Sequence, residues 1–407
     1  MSEEKRDDVL LKVDHLSMYF GHGAFVKKAV NDVSFEVRKG EVFGLVGESG
    51  CGKTTTGRTI IKLYDATAGS VYFDGKRIVA GIGGYKDEIR TIRKRKRELA
   101  KEAGSDTAKK LEECDRRIGE LQDEIRKAKR DHFHCDDEFR KEEKKRITEE
   151  YDALIAEAKP EEVAKLQREK RRKLRIAAHS KLVTQIQMIY QDPVASLDPR
   201  MTVREIISEG LLIQGVRDKK YITEQVYEML DTVGLVHEHA DRYPHEFSGG
   251  QRQRIGIARS VIMKPKLIIA DEPISALDVS IRAQVINLLN ELRETMGMTI
   301  LFIAHDLSVV KYFSDRIGVM YYGNLVEMAD SDELFRHPLH PYTRSLLSAI
   351  PLPDPDTEKT RVRIRYNPLL DHERTDEEPM FREVCPGHSV RCTLKEFEAY
   401  EKQIEEE

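Results

Sequence analysis

Residues 47–54 have the composition of a loop that binds phosphate groups. They read Gly-Glu-Ser-Gly-Cys-Gly-Lys-Thr and lie between the apolar run Val42–Val46 and a predicted helix. Glycines let backbone N–H groups turn towards phosphate oxygens, and the positive end of the helix faces the same anion. Lys53 is expected to reach the β- and γ-phosphates, and the Thr54 hydroxyl is a typical Mg²⁺ ligand. The spacing therefore predicts a site for a nucleotide with Mg²⁺.

An acid pair, Asp271 and Glu272, directly follows the apolar residues 267–270. Four consecutive apolar residues predict a buried strand, which would deliver both carboxylates to one end of a sheet. Asp271 is then a candidate partner for Mg²⁺. Glu272 is a candidate general base that polarises the water attacking the γ-phosphate. An ordinary acidic turn would explain the pair by itself, but not the pair together with the phosphate loop.

Three further positions extend this chemistry. Residues 248–251, Ser-Gly-Gly-Gln, form a small turn at a predicted helix start, which makes a second anion-binding end. Gln191 carries a neutral amide able to touch both Mg²⁺ and water. His305 ends the apolar run 300–304 and would bring an imidazole towards the γ-phosphate, although a histidine at a strand end is more often structural.

Composition and charge limit the class of protein. The chain has 407 residues, of which 34% are charged, and its net charge of −4 gives no general attraction to nucleic acid. It lacks an apolar run long enough to span a bilayer and an N-terminal signal core, and its five cysteines are scattered. We therefore expect a cytoplasmic protein. Its composition sets a charged insertion at 86–182 apart from the mixed apolar and polar residues around it. The expected segments are core residues 8–85, this insertion, core residues 183–330 and a C-terminal extension at 331–407. The tail after Pro351 has little periodicity and is expected to lie along the surface.

The charged insertion has the pattern of an antiparallel coiled-coil hairpin. Leu111, Ile118 and Ile125 recur every seven residues, and Ile147, Tyr151, Leu154 and Ala158 form a stripe on the predicted return arm. The tip is predicted at residues 132–137, with a joint in each arm at 104–106 and 159–160. A single solvated helix or disorder is the alternative.

Two other features of the insertion suggest partners. The basic runs 93–97 and 170–173 lie near the predicted base of opposite arms, so they are predicted to form one patch for anionic lipid or an acidic partner. A solvated face is the alternative. His132, His134 and Cys135 are metal-ligand types, but one short turn without a second cysteine pair would need a partner chain to complete a zinc site.

Taken together, these motifs resemble an ABC transporter nucleotide-binding subunit over residues 8–80 and 183–352. The resemblance implies an α/β P-loop core with an antiparallel β subdomain, a helical signature subdomain and the inserted coiled-coil hairpin. It also implies ATP hydrolysis at two sites between two protomers, each P-loop facing the partner's signature. The implied ATP-binding residues are Phe20 or Tyr19 for adenine stacking, and Gly47, Glu48, Ser49, Gly50, Cys51, Gly52, Lys53, Thr54 and Thr55. The implied signature residues, which face the partner's ATP, are Ser248, Gly249, Gly250 and Gln251, and the implied D-loop is residues 275–278 with Asp278. The implied Mg²⁺ ligands are Thr54, Gln191 and Asp271. The implied catalytic residues are Glu272, His305, Gln191 and Lys53.

A finer resemblance concerns residues 191–203, 278–284 and 340–347, which are similar to oligopeptide/dipeptide importer ATPases, most of all to the second of their two ATPase subunits. It implies a heterodimer with a sister ATPase beneath two permease subunits, supplied by an extracytoplasmic solute-binding protein. The cargo implied is a peptide or a related solute such as nickel. The implied location is the cytoplasmic face of the plasma membrane, without nucleic acid.

Two departures from the family bear on function. Chromosome and DNA-repair ATPases also carry a coiled coil and are the rival interpretation. Their arm follows the Q-loop glutamine, to which Gln191 corresponds, whereas this insertion precedes Gln191. Relatives often end in a cysteine cluster that holds an iron–sulfur centre. Here Cys385 is the single cysteine just before the Pro-Gly-His ending. Because iron–sulfur clusters take four ligands, no iron–sulfur cluster is expected.

Overall fold

The computed structural model describes residues 8–21, 25–100, 107–275, 277–350, 363–368, 370–372 and 377–405. The chain forms two compact units. Unit 1 contains the residues up to Gly75, Ile269–Glu272 and the residues from Met298 onwards, and unit 2 contains Lys76–Ile268 and Pro273–Gly297. Within the described part, no helix is both long and apolar enough to cross a membrane.

The strands are β1 (Val9–Phe20), β2 (Lys27–Arg38), β3 (Val42–Val46), β4 (Ala68–Phe73), β5 (Lys76–Ile82), β6 (Ile186–Ile189), β7 (Leu267–Asp271), β8 (Thr299–Ala304), β9 (Arg316–Tyr321), β10 (Asn324–Asp330), β11 (Met380–Cys385) and β12 (His388–Cys392). The α-helices are α1 (Lys53–Ile60), α2 (Gly83–Leu99), α3 (Thr107–Glu157), α4 (Pro160–Ala177), α5 (Val203–Ile213), α6 (Lys219–Thr232), α7 (Gly249–Val261), α8 (Val279–Met296), α9 (Leu307–Phe313), α10 (Ser331–Arg336), α11 (Pro341–Ser348) and α12 (Leu394–Glu405).

Unit 1 is built on two sheets. In the smaller one, β1 pairs antiparallel with β2 and β4. In the larger one the order within the unit is β11-β12-β10-β9-β3-β8-β7. β3 is parallel to β8 and β9, and β3 and β8 are buried throughout, as their unbroken apolar runs predict. Val46 pairs with Ala304, so the carboxyl ends of β3 and β8 meet at one edge.

The C-terminal tail is more regular than its sequence suggested. β11 and β12 form an antiparallel hairpin, and β12 also pairs with β10, which extends the larger sheet. Leu339, Val390, Cys392 and Tyr400 form a small buried cluster beneath it. Residues 380–405 thus form regular elements despite their weak periodicity, because this short apolar cluster is enough to fix a hairpin and α12.

In unit 2, α5, α6 and α7 pack together, and their starts are fixed by caps. Thr202 caps α5 in a reciprocal arrangement with Glu205, and Asp218 accepts a hydrogen bond from the N–H of Tyr221 at the start of α6. Such caps satisfy backbone N–H groups that have no partner within the helix. The helix starts in this unit are thus fixed locally.

The predicted hairpin tip at residues 132–137 is wrong, since these residues lie inside α3, one helix of 51 residues. The tip was inferred from charge, but charged side chains do not end helices, and Asp137 pairs with Arg140 one turn later. α3 contains no proline, and Gly119 is its sole glycine. The helix starts just after the predicted joint at 104–106, which lies outside the described residues. It ends at the joint at 159–160, where Pro160 occupies the first turn of α4.

Helices α2 and α4 pack on opposite ends of α3. Lys96 of α2 pairs with Asp115, and Lys170 of α4 pairs with Asp152. Between these ends, Lys76 of β5 pairs with Glu142 of α3 at 2.7 Å. The structure therefore has two antiparallel helix pairs that share α3, where the sequence suggested one two-armed hairpin.

This arrangement also contradicts the single basic patch. The run 93–97 belongs to α2 and the run 170–173 to α4, and their partners Asp115 and Asp152 lie about 55 Å apart along α3. The metal-ligand types at 132–135 do not converge either. His134 is exposed whereas Cys135 is buried, so these neighbours face different sides of the helix, and the side chain of His132 is outside the described part.

Candidate nucleotide site

The phosphate loop follows β3, as its spacing predicts. Gly47, Gly50 and Gly52 have φ values of 147°, 81° and 111°, a region that other residues rarely adopt. A Cβ on Gly47 would lie 2.2 Å from the carbonyl oxygen of Met320, and one on Gly52 would lie 2.2 Å from that of Ala29. The loop therefore requires glycine at these two positions for both its conformation and its close packing.

Lys53 is the first residue of α1 and is almost fully buried. Its Nζ donates hydrogen bonds to the carbonyl oxygens of Gly47, at 2.7 Å, and Glu48, at 2.9 Å. The ammonium group is thus held across the opening of the loop. This position allows it to exchange carbonyl partners for phosphate oxygens.

Asp271, the last residue of β7, lies beside Thr54. The Thr54 hydroxyl donates to Asp271 Oδ1 at 2.8 Å, and Asp271 Oδ2 is buried without a hydrogen-bond partner among the described residues. Burial raises the pKa of Asp271, while the Thr54 hydrogen bond and the charges of Arg58 and Lys53 oppose that shift. A hydroxyl and a carboxylate with a spare buried oxygen are the hard ligands that Mg²⁺ prefers, so these residues fit the ion.

Glu272 has an unusual backbone that fixes its position. Its φ of 45° is rare outside glycine, and its N–H donates to the carbonyl oxygen of Ile303 in β8 at 2.9 Å. Its Oε2 lies 3.1 Å from Nδ1 of His305, which follows the end of β8. His305 is about half exposed, with 53% of its side chain accessible, against 12% for Glu272. The structure thus joins the two predicted catalytic groups, and the strained backbone is of the kind that clusters at active sites.

The two candidates for adenine stacking differ in their surroundings. The Tyr19 hydroxyl donates to Oδ1 of Asn31 at 2.8 Å, and Nζ of Lys28 lies 5.5 Å from its ring centre. Phe20 is 38% exposed and meets Tyr64 edge-on, with ring centres 5.4 Å apart. A flat exposed ring suits stacking on a base. Phe20 is therefore the better candidate of the two.

Tyr342, which the sequence motifs do not assign to the site, also contacts the loop. It is buried in α11, and its hydroxyl accepts a hydrogen bond from the N–H of Glu48 at 3.0 Å. Burial raises the pKa of Tyr342, so its hydroxyl stays protonated. The sequence feature that could have pointed to Tyr342 is the run 340–347, which marks the family resemblance but does not by itself indicate a contact with the phosphate loop.

The other predicted residues lie in unit 2. Ser248 caps α7: its hydroxyl accepts from the N–H of Gln251, and its own N–H donates to Oε1 of Gln251 at 3.1 Å. Ser248 and Gly249 are exposed, so the start of α7 is accessible to an anion. Gln191 is exposed after β6, and Asp278 precedes α8. Residue 276 of the predicted D-loop lies outside the described residues.

Comparison with known proteins identifies the class. The sequence profile of the ABC transporter family matches residues 30–154 and 152–275. A second profile, for the C-terminal region of oligopeptide/dipeptide transporters, matches residues 326–392. The P-loop after β3, the acid pair at the end of β7 in the same sheet and this family match together define an ABC-type ATPase, which binds and hydrolyses ATP.

The most informative relatives match nearly the whole chain. It is 47% identical to the oligopeptide transport ATP-binding protein OppF of Bacillus subtilis (strain 168), over 96% of this chain and 98% of that protein. It is 40% identical to the dipeptide transport ATP-binding protein DppF of Lactococcus lactis subsp. cremoris (strain MG1363), over 99% of each. The chain therefore belongs to the oligopeptide/dipeptide transporter family of ABC ATP-binding subunits.

Solved structures agree on the fold. CbiO1 of Clostridium perfringens, part of the ABC transporter complex cbiONQ, matches with a TM-score of 0.51 at 20% identity, over 82% of this chain and 92% of that one. The cassette MJ0796 in a post-hydrolysis dimer with ADP and Pi matches with a TM-score of 0.50 at 20% identity, over 79% and 99%. The predicted α/β P-loop fold of an ABC ATPase is thus confirmed.

Proposed function

We propose that this chain is the ATP-hydrolysing subunit of an importer for oligopeptides or dipeptides, or for a related solute such as nickel, and that it acts at the cytoplasmic face of the plasma membrane. The main observation behind this proposal is that five residues of the predicted site belong to unit 1: Lys53, Thr54, Asp271, Glu272 and His305. Among them, Thr54 contacts Asp271, and Glu272 contacts His305. The names of the relatives supply the cargo.

ATP binding is assigned to the phosphate loop and to Phe20. Backbone N–H groups of residues 47–55 would hold the phosphate oxygens, and Lys53 would neutralise their charge. Thr54 and Asp271, together with Gln191, are the proposed Mg²⁺ ligands. When bound, the ion offsets the negative charge that develops on the transferred phosphoryl group. The unpartnered Oδ2 of Asp271 supports this role.

Hydrolysis is assigned to Glu272 with His305. Glu272 would accept a proton from the water that attacks the γ-phosphate, in line with the departing ADP. Its backbone N–H donates to β8, which fixes the main chain from which the carboxylate extends. The imidazole at 3.1 Å would orient this carboxylate towards the water. Both groups depend on strand ends, whose positions are rigid.

A second subunit is needed to complete each site. The accessible start of α7 at residues 248–251 and the nearby D-loop residue Asp278 are proposed to face the ATP of a sister ATPase in a heterodimer. Two permease subunits and an extracytoplasmic solute-binding protein would complete the importer. The predicted segment boundaries at 85, 182 and 330 remain part of this proposal.

The test is purification of the tagged chain from its native membrane. A second ABC ATPase and two membrane-spanning permeases should co-purify, and the complex reconstituted in vesicles should take up a labelled peptide only with ATP. Parallel uptake of labelled peptide and of Ni²⁺ distinguishes the cargo classes. Recovery of chromosomal DNA or a nuclease without membrane proteins would refute the importer and favour the DNA-repair class.

A further inference from the structure

A cluster of three metal-ligand types lies in unit 1, away from the phosphate loop in sequence. The side-chain donor atoms of Glu333, Cys385 and His388 all lie within 4.8 Å of one another. Among the described residues this is the one group of at least three such donors in this arrangement. It combines a carboxylate, a thiol and an imidazole, the three ligand types that Zn²⁺ accepts in proteins.

The β11–β12 hairpin brings two of the three donors together. Cys385 and His388 are paired across the hairpin, and the turn between them is Pro386-Gly387, with Gly387 at a φ of 85°. The N–H of Gly387 also donates to Oε1 of Glu383 at 2.9 Å, which ties the turn to β11. Structural zinc sites commonly use two ligands that are separated by two residues across a tight turn.

The ring of His388 is fixed by a second carboxylate. His388 and Glu327 are both fully buried, and Nε2 of His388 lies 2.8 Å from Oε1 of Glu327. Glu327 also accepts hydrogen bonds from the N–H groups of Leu339, at 2.7 Å, and His340, at 3.1 Å. Because the oxygens of Glu327 accept these hydrogen bonds, Nε2 of His388 carries the hydrogen that it donates to Glu327. Nδ1 of His388 is then the ring nitrogen that faces the cluster.

The third donor, Glu333, is fixed from the helix α10. Its Oε1 lies 3.3 Å from Nδ1 of His388 and 3.1 Å from Nδ1 of His337, which is one turn further along the chain. A hydrogen-bonded network would account for these imidazole contacts. The thiol of Cys385 adds only a weak hydrogen bond to such a network, whereas a cation at the centre makes a strong bond to each of the three donors.

We propose that Glu333, Cys385 and His388 bind one Zn²⁺ ion. The carboxylate of Glu327 behind the His388 ring is the outer partner that metal-bound histidines commonly have, where it fixes the ring and increases its basicity. Binding releases the thiol proton to solvent, and three protein ligands leave the fourth position of a tetrahedral ion for water. The ion links α10 to the β11–β12 hairpin, so its role is to anchor the C-terminal extension.

The test uses the full chain with any affinity tag removed and with metal stripped by a chelator. Titration with Zn²⁺ should show one site per chain, and Co²⁺ in its place should give a thiolate-to-metal charge-transfer band. In Cys385→Ser the band should disappear and Zn²⁺ affinity should fall at least about tenfold. Cys114→Ser, which changes a half-buried thiol on α3, is the matched control and should keep both signals.

Two further variants protect the test against misfolding. Glu333→Gln keeps the size of the side chain and one acceptor oxygen but removes its charge, and Glu327→Gln does the same to the partner behind His388, where the amide oxygen can still accept one of the hydrogen bonds. Each should lower Zn²⁺ affinity by about 10- to 100-fold while the circular dichroism spectrum stays that of the native chain. Unchanged affinity in Cys385→Ser, a Co²⁺ complex without the thiolate band, or no Zn²⁺ binding at all would each overturn the proposal.

Discussion

The functional groups of the phosphate loop region lie at the ends of fully buried strands, whereas helices α2, α3 and α4 expose most of their surface. The first region is held by the unbroken apolar runs of β3, β7 and β8. The second is held by ion pairs such as Lys170–Asp152 and by a small apolar cluster of Ile147, Tyr151 and Ala177. Exposed ion pairs each contribute about 0.2–1 kcal/mol, so the few buried side chains determine how the helices pair. The two regions should therefore respond very differently to substitution.

The largest expected effect is at the acid pair. Glu272→Gln should retain ATP binding but lower kcat by about 10²- to 10⁴-fold, because the amide cannot accept the proton of the attacking water. ATP binding and turnover are measured separately on the assembled complex. Glu112→Gln, an exposed substitution on α3, is the control and should leave both unchanged. Near-normal turnover in Glu272→Gln would remove the proposed role of this carboxylate.

The next largest effect concerns the course of the chain in the helical region. Spin labels at the exposed positions Glu112 and Glu157 should lie about 68 Å apart if α3 is one helix. A hairpin with its tip at residues 132–137 would bring them to about 10 Å. The distance distribution of the doubly labelled chain decides between the two, with each singly labelled chain as the control for association. A short distance would restore the hairpin.

A third prediction compares two positions of the predicted apolar stripe on α3. Ile147→Ala should destabilise the α3–α4 pair by about 2–4 kcal/mol because Ile147 is 5% exposed. Leu154→Ala should cost well under 1 kcal/mol because Leu154 is 45% exposed. Hydrogen exchange of the α4 amides measures both, and ATP binding should not change in either variant. Equal costs at the two positions would contradict the packing described.

The smallest expected effect is a pH dependence from the C-terminal extension. Burial lowers the pKa of His340 to about 3, helped by the nearby His372 and opposed by Glu396. The unfolded chain binds a proton at this residue below pH 6.5, which the folded chain does not do until about pH 3. Stability is therefore full above pH 6.5 and falls as the pH drops towards 3, by at most about 1.4 kcal/mol per pH unit.

The variant His340→Asn should reduce that slope. Asparagine can accept the hydrogen bond that His340 Nδ1 takes from the N–H of Tyr342 at 3.1 Å, so the cap of α11 is kept while the titrating group is lost. Urea unfolding between pH 4 and pH 7 measures the slope. His134→Asn, at an exposed position on α3, should leave it unchanged. An identical slope in wild type and His340→Asn would show that His340 does not titrate as described.

Much of the nucleotide site was predictable because each key residue adjoins a strand end that is visible as an apolar run. Asp271 and Glu272 follow one such run and His305 another, and because the two runs form the neighbouring strands β7 and β8, these residues meet at one edge of the sheet. Tyr342 and the Glu333–Cys385–His388 cluster were not predicted. Their contacts join segments far apart in the chain, and no local periodicity encodes which segments will meet.

The helical insertion shows a different limit. A heptad stripe predicts which side chains are buried, and this holds in part. Ile147 and Tyr151 are buried, whereas Leu154 is exposed, and Leu111, Ile118 and Ile125 are half-buried. It does not predict where the chain reverses, since a partner helix can pack on the stripe from either direction. Only residues that break helices carry that information. Here the predicted joint at 159–160 was the true reversal, and the charged segment 132–137 was not.

The length of α3 has a mechanical consequence. The helix extends about 77 Å, and its middle lies against β5 at the ion pair between Arg77 and Asp131, whose charged atoms are 3.8 Å apart. A rod held near its centre acts as a lever, so a turn of about 10° at β5 displaces each end by about 6–7 Å, in opposite directions. Small rotations of the strand are thereby amplified at both ends of the rod, where α2 and α4 are packed.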